Sequence, residues 1–196
     1  MPGKREIARA DIMPMERYAR ERPARRWSII ELKRNRRVAV GPLATFYFEN
    51  YETMWHQVHE MLFIEKGGEE QIPGELEAYN ALIPQGDELV ATLMFEIDEP
   101  DARRAILGRL GGVERTAFLE VGGIRIEGRA AADMERSTAT GRASAVQFIH
   151  FRFPPAAVAR FREPGARVVV GLDHPQYAHM AVAPESVRKA LAEDFD

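Results

Sequence analysis

The chain predicts an α+β domain, a mainly antiparallel sheet with flanking helices and a basic N-terminal helical arm. Three observations carry that reading. Apolar runs of period two come in pairs around glycine turns, as in "RRVAVGPLATFYFEN" and "TAFLEVGGIRIEGR". Helical segments with recognisable caps fall between them at uneven spacing, unlike the regular strand–helix alternation of a parallel sheet. The chain has 196 residues, 45% of them hydrophobic and 29% charged, with no internal repeat, which fits one domain able to bury its own core. The expected division is a basic arm over residues 1–37 and an α+β body over 38–196.

Pro14 and Pro23 each suit the first turn of a helix, so the arm is expected as two helices, the second running from Pro23 to about Arg36. Alternation on either side of Gly41 and Pro42 predicts a hairpin. Asn50 then suits the N-cap of a helix through "YETMWHQVHEMLFIEK", which Gly67 and Gly68 stop. Tyr51, Met54, Trp55, Val58, Met61, Leu62 and Glu65 fall on one side of it, so Glu65 is expected in the apolar stripe with a buried partner such as Arg152.

A short helix begins near Pro73, and "ELVATLMFEI" reads as a strand with Leu89, Ala91, Leu93, Phe95 and Ile97 on one face and Thr92 and Glu96 on the other. "DEPDARRAILGRL" is helical, and Gly122 with Gly123 turns the next hairpin. Residues 130–144, "AAADMERSTATGRAS", are expected as a mobile loop within the domain. Strand "SAVQFIHFRF", helix "PPAAVARFREPG", strand "ARVVVGLDH" and helix "ESVRKALAEDF" complete the chain.

Composition removes several classes of chemistry. With no cysteine there are no disulfides, iron–sulfur ligands, thiolate zinc sites or thiol nucleophiles. The N-terminus lacks the apolar run of a signal peptide and no stretch suits a membrane helix, so no membrane and a cytoplasmic location are expected. Phosphate-loop, dinucleotide-fingerprint and serine nucleophile-elbow patterns are missing as well. The net charge of −3 is uneven: residues 1–40 carry 12 Lys or Arg against 5 Asp or Glu, and the remainder 15 against 25. Such an arm steers toward an acidic partner, RNA, or the acidic body of its own fold. Nucleic acid is the least expected, since the arm offers one Trp and one Tyr but no stacking platform.

Three clusters are candidates for a site. Glu52, His56 and His59 share a helix face at spacings that suit one divalent metal, although a solvated polar face explains the same residues. Glu60 and Glu65, with Glu75, Tyr79 and Asn80 on the next helix, face one another if the glycine turn folds the two helices together. Clustered carboxylates in a partly apolar setting, Glu77 among them, suit general acid–base work or a hard cation, although Glu60, Glu69, Glu70 and Glu77 are explained as well by ordinary solvated acids, with only Glu65 needing a buried partner such as Arg152 or a backbone amide. In "GLDHPQYAH", Asp173, His174 and Tyr177 form a turn first and a pocket wall second.

The segments "RRVAVGP", "FEN", "QVHEMLFIEK", "ELEAYNALIP", "ATLMFEI", "SAVQFIHFRF" and "GLDHPQYAH", in that order, resemble the uncharacterised bacterial family catalogued as domain of unknown function 3501. The resemblance spans nearly the whole chain. It implies Asn50, Gln57, Glu60, Glu65, Glu75, Tyr79, Asn80, Asp173, His174 and Tyr177 as the positions to watch. It also implies a setting, because genes of the family commonly lie beside rubrerythrin and a cysteine-rich iron–sulfur oxidoreductase. Two functions follow as expectations. One is an accessory protein that docks on such a partner in oxidative-stress defence. The other is a metal- or small-ligand-binding enzyme whose pocket joins the acid-bearing helical pair to the D-H-P corner. No resident cofactor is expected beyond a divalent metal in the second case.

Overall fold

The structure, a computed structural model, describes residues 3–131 and 142–196. The expected loop over residues 130–144 therefore lies largely outside the described residues. Helix α1 (Met15–Arg34) leads into the hairpin β1 (Arg37–Val40) and β2 (Ala44–Glu49). Helices α2 (Tyr51–Glu65) and α3 (Ile72–Asn80) precede β3 (Glu88–Phe95), and α4 (Pro100–Leu107) precedes β4 (Ala117–Val121), β5 (Ile124–Glu127) and β6 (Arg129–Ala130). Strand β7 (Val146–Arg152), α5 (Pro155–Arg162), β8 (Val168–His174), β9 (Tyr177–Val182) and α6 (Glu185–Ala192) follow.

The strands form two antiparallel sheets rather than one. The first has the order β1-β2-β3-β7-β6 and the second β5-β4-β8-β9. Period-two alternation sends Phe46, Phe48, Leu93 and Phe151 of the first sheet toward Leu119, Val121, Val170 and Leu172 of the second, where they form the main core. A second core lies on the opposite face of the first sheet. There Met54, Val58 and Leu62 of α2 pack with Ile72, Leu82, Ile83 and Val90, and Ile7 and Ile12 of the N-terminal segment close over them. Strand β3 thus serves both cores, with Leu89, Ala91 and Leu93 on one side and Val90 on the other.

Both edges of the sheet pair are tied. Gly128 carries the chain from β5 to β6; a Cβ there would sit 2.6 Å from Ile149 Cγ2 and 2.9 Å from the Ala117 carbonyl, so the crossing admits no side chain. At the other edge the Tyr177 hydroxyl accepts from the N–H groups of Leu43 (2.9 Å) and Ala44 (3.0 Å) and donates to the Val40 carbonyl (2.8 Å). It bridges β9 to the β1–β2 turn. Arg36 makes a comparable tie. Its buried guanidinium donates to the carbonyls of Phe48 (3.0 Å) and Glu49 (3.1 Å) and pairs with the buried carboxylate of Asp194 beyond α6.

One local expectation is corrected. The segment from Met15 to Arg34 is one helix, not two, and Pro23 lies inside it. The carbonyl that Pro23 cannot serve belongs to Ala19, which is exposed to solvent, while Glu21 pairs with Arg17 and Arg25 on either side of the proline. "YAHMAV", left unassigned by its pattern, is strand β9; His174 pairs with Tyr177 across a tight hairpin, so "DHPQY" is a turn between two strands.

Replacing Tyr177 with Phe strands one buried and one half-buried N–H group and one carbonyl at the sheet junction. The expected loss is about 2–4 kcal/mol, read as a lower urea midpoint at unchanged m-value.

Candidate functional site

The outward side chains of the first sheet build the site. In β2, Phe46 and Phe48 point to the main core, so Tyr47 and Glu49 point away from it. Register places Tyr47 beside Thr92 of β3 and Thr92 beside Phe148 of β7. Helices α2 and α3 cover this face and Lys33 reaches it from the last turn of α1, leaving a cleft of about 260 Å³. Tyr47, Glu49, Gln57, Tyr79 and Thr92 supply its polar lining, and Met54, Leu82, Met94 and Phe148 its apolar walls.

Glu49 is the unusual member. Its residue is only 5% exposed, and Oε1 accepts from the Thr92 hydroxyl at 2.7 Å. Oε2 is buried with no hydrogen-bond partner among the described residues. An acceptor-only oxygen in that state costs free energy unless something donates to it. The other polar groups have partners. Tyr47 donates to Glu96 Oε1 at 2.6 Å, and the Gln57 amide lies beside the Tyr79 hydroxyl. Burial raises both phenols above their ordinary range, so each keeps its proton.

The positions singled out in the sequence scatter around this cleft. Gln57 and Tyr79 line it. Asn50 caps α2: its side chain accepts from the Thr53 N–H at 3.0 Å while the Thr53 hydroxyl accepts from the Asn50 N–H at 2.9 Å. Asn80 pins the N-terminal segment, accepting from the Ile7 N–H at 2.7 Å and donating to the Ile7 carbonyl at 3.1 Å. Glu60 takes a two-pronged bond from Arg22, 2.8 Å to each oxygen, and another from the Tyr18 hydroxyl at 2.8 Å. These donors, Arg22 above all, pull its carboxyl down to about 2.

Glu65 needs correction: it is exposed at the end of α2, where the apolar stripe has already ended, and its partner is Gln71 (2.8 Å), not Arg152. Gln71 also donates to Glu75 at 2.8 Å, so the two helices do fold together, but their acids meet at the surface. Asp173, His174 and Tyr177 lie beyond the first sheet from the helices. Asp173 is exposed and 3.4 Å from Arg125, His174 accepts from the Gln176 N–H at 3.2 Å, and Tyr177 is the bridge described above. The expected common recess is not formed, because the first sheet separates the two groups.

The histidine face is also corrected. Glu52 is exposed, while His56 and His59 are buried beneath α1. His59 has 0% exposure; Nε2 accepts from the Met13 N–H at 3.1 Å, Nδ1 donates to the Trp55 carbonyl at 2.7 Å, and the Trp55 ring lies 3.7 Å away. Both nitrogens are engaged and burial pulls the ring down to about 4. His56 Nδ1 lies 3.2 Å from the Tyr18 hydroxyl, and burial lowers this ring too. The pair is therefore neither a solvated face nor a metal site. Among the described residues, no three His, Asp or Glu side chains gather as ligands for a metal.

Sequence reasoning missed Glu49, Tyr47, Thr92 and Lys33. The only local signal was polar residues on the outward side of strands that are otherwise apolar.

With the geometry established, comparison with known proteins places the chain. The family described as Protein of unknown function (DUF3501) matches residues 6–195. The chain belongs to this family. Among solved structures, this DUF3501 protein is similar to one described as a novel protein of unknown function from Burkholderia pseudomallei. The two share 36% identity, with a TM-score of 0.90 over 97% of this chain and 99% of that one. No curated protein matches. Among the described residues, no helix is long and apolar enough to cross a membrane.

The second core sets an acid sensitivity. His59 stays unprotonated in the fold down to about 4, whereas the unfolded chain takes up a proton below about 6.5. Stability therefore falls as pH drops through that window, by on the order of 3 kcal/mol. Glu60 adds a second loss below its ordinary 4.5, continuing to about 2. Urea titrations between pH 7 and 4 are expected to show the first loss, and His59→Gln to flatten it.

Proposed function

We propose that this DUF3501 protein binds a small organic molecule in the cleft between its first sheet and helices α2 and α3. The observation that carries this reading is Glu49 Oε2, which has no hydrogen-bond partner among the described residues and belongs to the wall of a cavity that Gln57 and Tyr79 also line. Polar groups in such a position cost stability, and a ligand that donates to them recovers it. Methyl NMR with Met54 and Met94 as reporters tests the site. Some members of a small-molecule panel spanning positive, neutral and negative charge are expected to shift both methyls. Met94→Trp, which fills the mouth, is expected to abolish the binding detected by the remaining methyls. A panel in which no compound moves either methyl would remove this function.

The outer face of α1 favours a second reading, docking on an acidic partner. Trp27 and Ile30 are 67% and 47% exposed. They share a helical face with Arg20 and Arg26, neither of which makes an ion pair among the described residues. The family resemblance points to cytoplasmic rubrerythrin or its neighbouring iron–sulfur oxidoreductase as that partner. Co-purification at low salt is expected to bring down one of these two, to fade as salt rises, and to fail for a Trp27→Ala, Arg26→Ala variant. Recovery of neither by the unaltered protein counts against docking.

A further inference from the structure

Resting on the cleft as a ligand site, we infer that its ligand is an organic monocation: a primary ammonium group on a short apolar body. The choice follows from what each wall can accept. Glu49 has one oxygen, Oε2, with no hydrogen-bond partner among the described residues, while Oε1 accepts from Thr92 at 2.7 Å. A carboxylate accepts only, so the ligand atom that meets it must be a donor. A charged donor gains about twice what a neutral one does, most of all where water is thin.

Shape and charge narrow the class further. A guanidinium fork would have to share Oε1 with the Thr92 hydroxyl, whereas a single-point ammonium needs only Oε2 and so fits more simply. A hard divalent ion wants six or more oxygens, and among the described residues no three acidic or histidine side chains gather to supply them. A carboxylate ligand brings no donor for Oε2. The remaining walls are Tyr47, Tyr79, Phe148, Met54, Met94 and Leu82, whose ring faces and thioethers suit the hydrocarbon and the cation attached to it. Lys33 at the rim sets a like charge against a second positive group, which favours one ammonium over two.

Glu49 is also unable to leave. Arg36 holds its carbonyl at 3.1 Å, and the next residue, Asn50, is fixed as the cap of α2. The main chain that carries the acceptor is thus fixed before any ligand arrives, and only the side chains that cover the buried Oε2 have to give way on binding.

Calorimetric or NMR titration of the full chain with butylamine, butanol and butyrate provides the test. Butylamine is expected to bind at least about tenfold tighter than butanol, with butyrate weaker than both. Glu49→Gln keeps the shape and the acceptor for Thr92, and is expected to erase the preference for amine over alcohol. Should Glu49→Gln fail to fold, the ranking in the unaltered protein and its loss in Met94→Trp decide the matter. Butanol or butyrate binding as tightly as butylamine would overturn the cation assignment while leaving the cleft as a ligand site. Amine binding that survives both substitutions unchanged would overturn it as well. Only silence from the whole mixed-charge panel removes the cleft itself.

Discussion

Strand β3 is covered on both faces, and most of the architecture answers to that constraint. A central strand in a half-exposed antiparallel sheet keeps its outward residues in water. Here Leu89, Ala91 and Leu93 enter the core between the sheets, while Val90 enters a second core under α2 and α3. The outward polar residues of its neighbours are consequently trapped. Thr92 and Glu49 lie beneath helices because Val90 must, and a cleft opens where the helices do not fill the space over Tyr47 and Met94.

The second core solves most of its polar problem internally. Tyr18, wholly buried on α1, spends its hydroxyl on Glu60, whose remaining capacity goes to Arg22. His59 spends both nitrogens on main-chain groups, and Trp55 donates from its indole to the Asp11 carbonyl at 2.9 Å. These bonds fasten α1 and the N-terminal segment to α2. They give the titratable groups there a structural explanation, and they set Glu49 apart as the carboxylate of this face with an unused buried oxygen. A solved protein at 36% identity has the same fold over nearly its full length, so the two-sided sheet is not peculiar to this chain.

Local chemistry was legible wherever a short segment decides its own conformation. The cap at Asn50, the turns at Gly41 and Gly122, and the alternation in β2, β3 and β4 all stand where their patterns place them. Gln57 was reached through family resemblance, and Tyr79 through both that resemblance and the acid-bearing helical pair. Glu65 was misjudged because a helical wheel extends the apolar stripe to the last turn, where α2 has already run past its partners. His56 and His59 were misjudged because nothing in their spacing reveals that α1 lies across them.

The sequence by itself determined the fold class, most element boundaries and the exclusion of thiol chemistry, since these depend on residue type and on interactions a few positions apart. Tertiary structure alone decided that the sheet is double, that Pro23 rides inside a helix, and that the D-H-P corner and the helical pair lie on opposite sides of one sheet. It also decided that Glu49 is buried. The reason is physical: burial and the pairing of polar groups depend on which distant segments cover a face, and alternation along a strand records only that a residue points outward, not what it meets there.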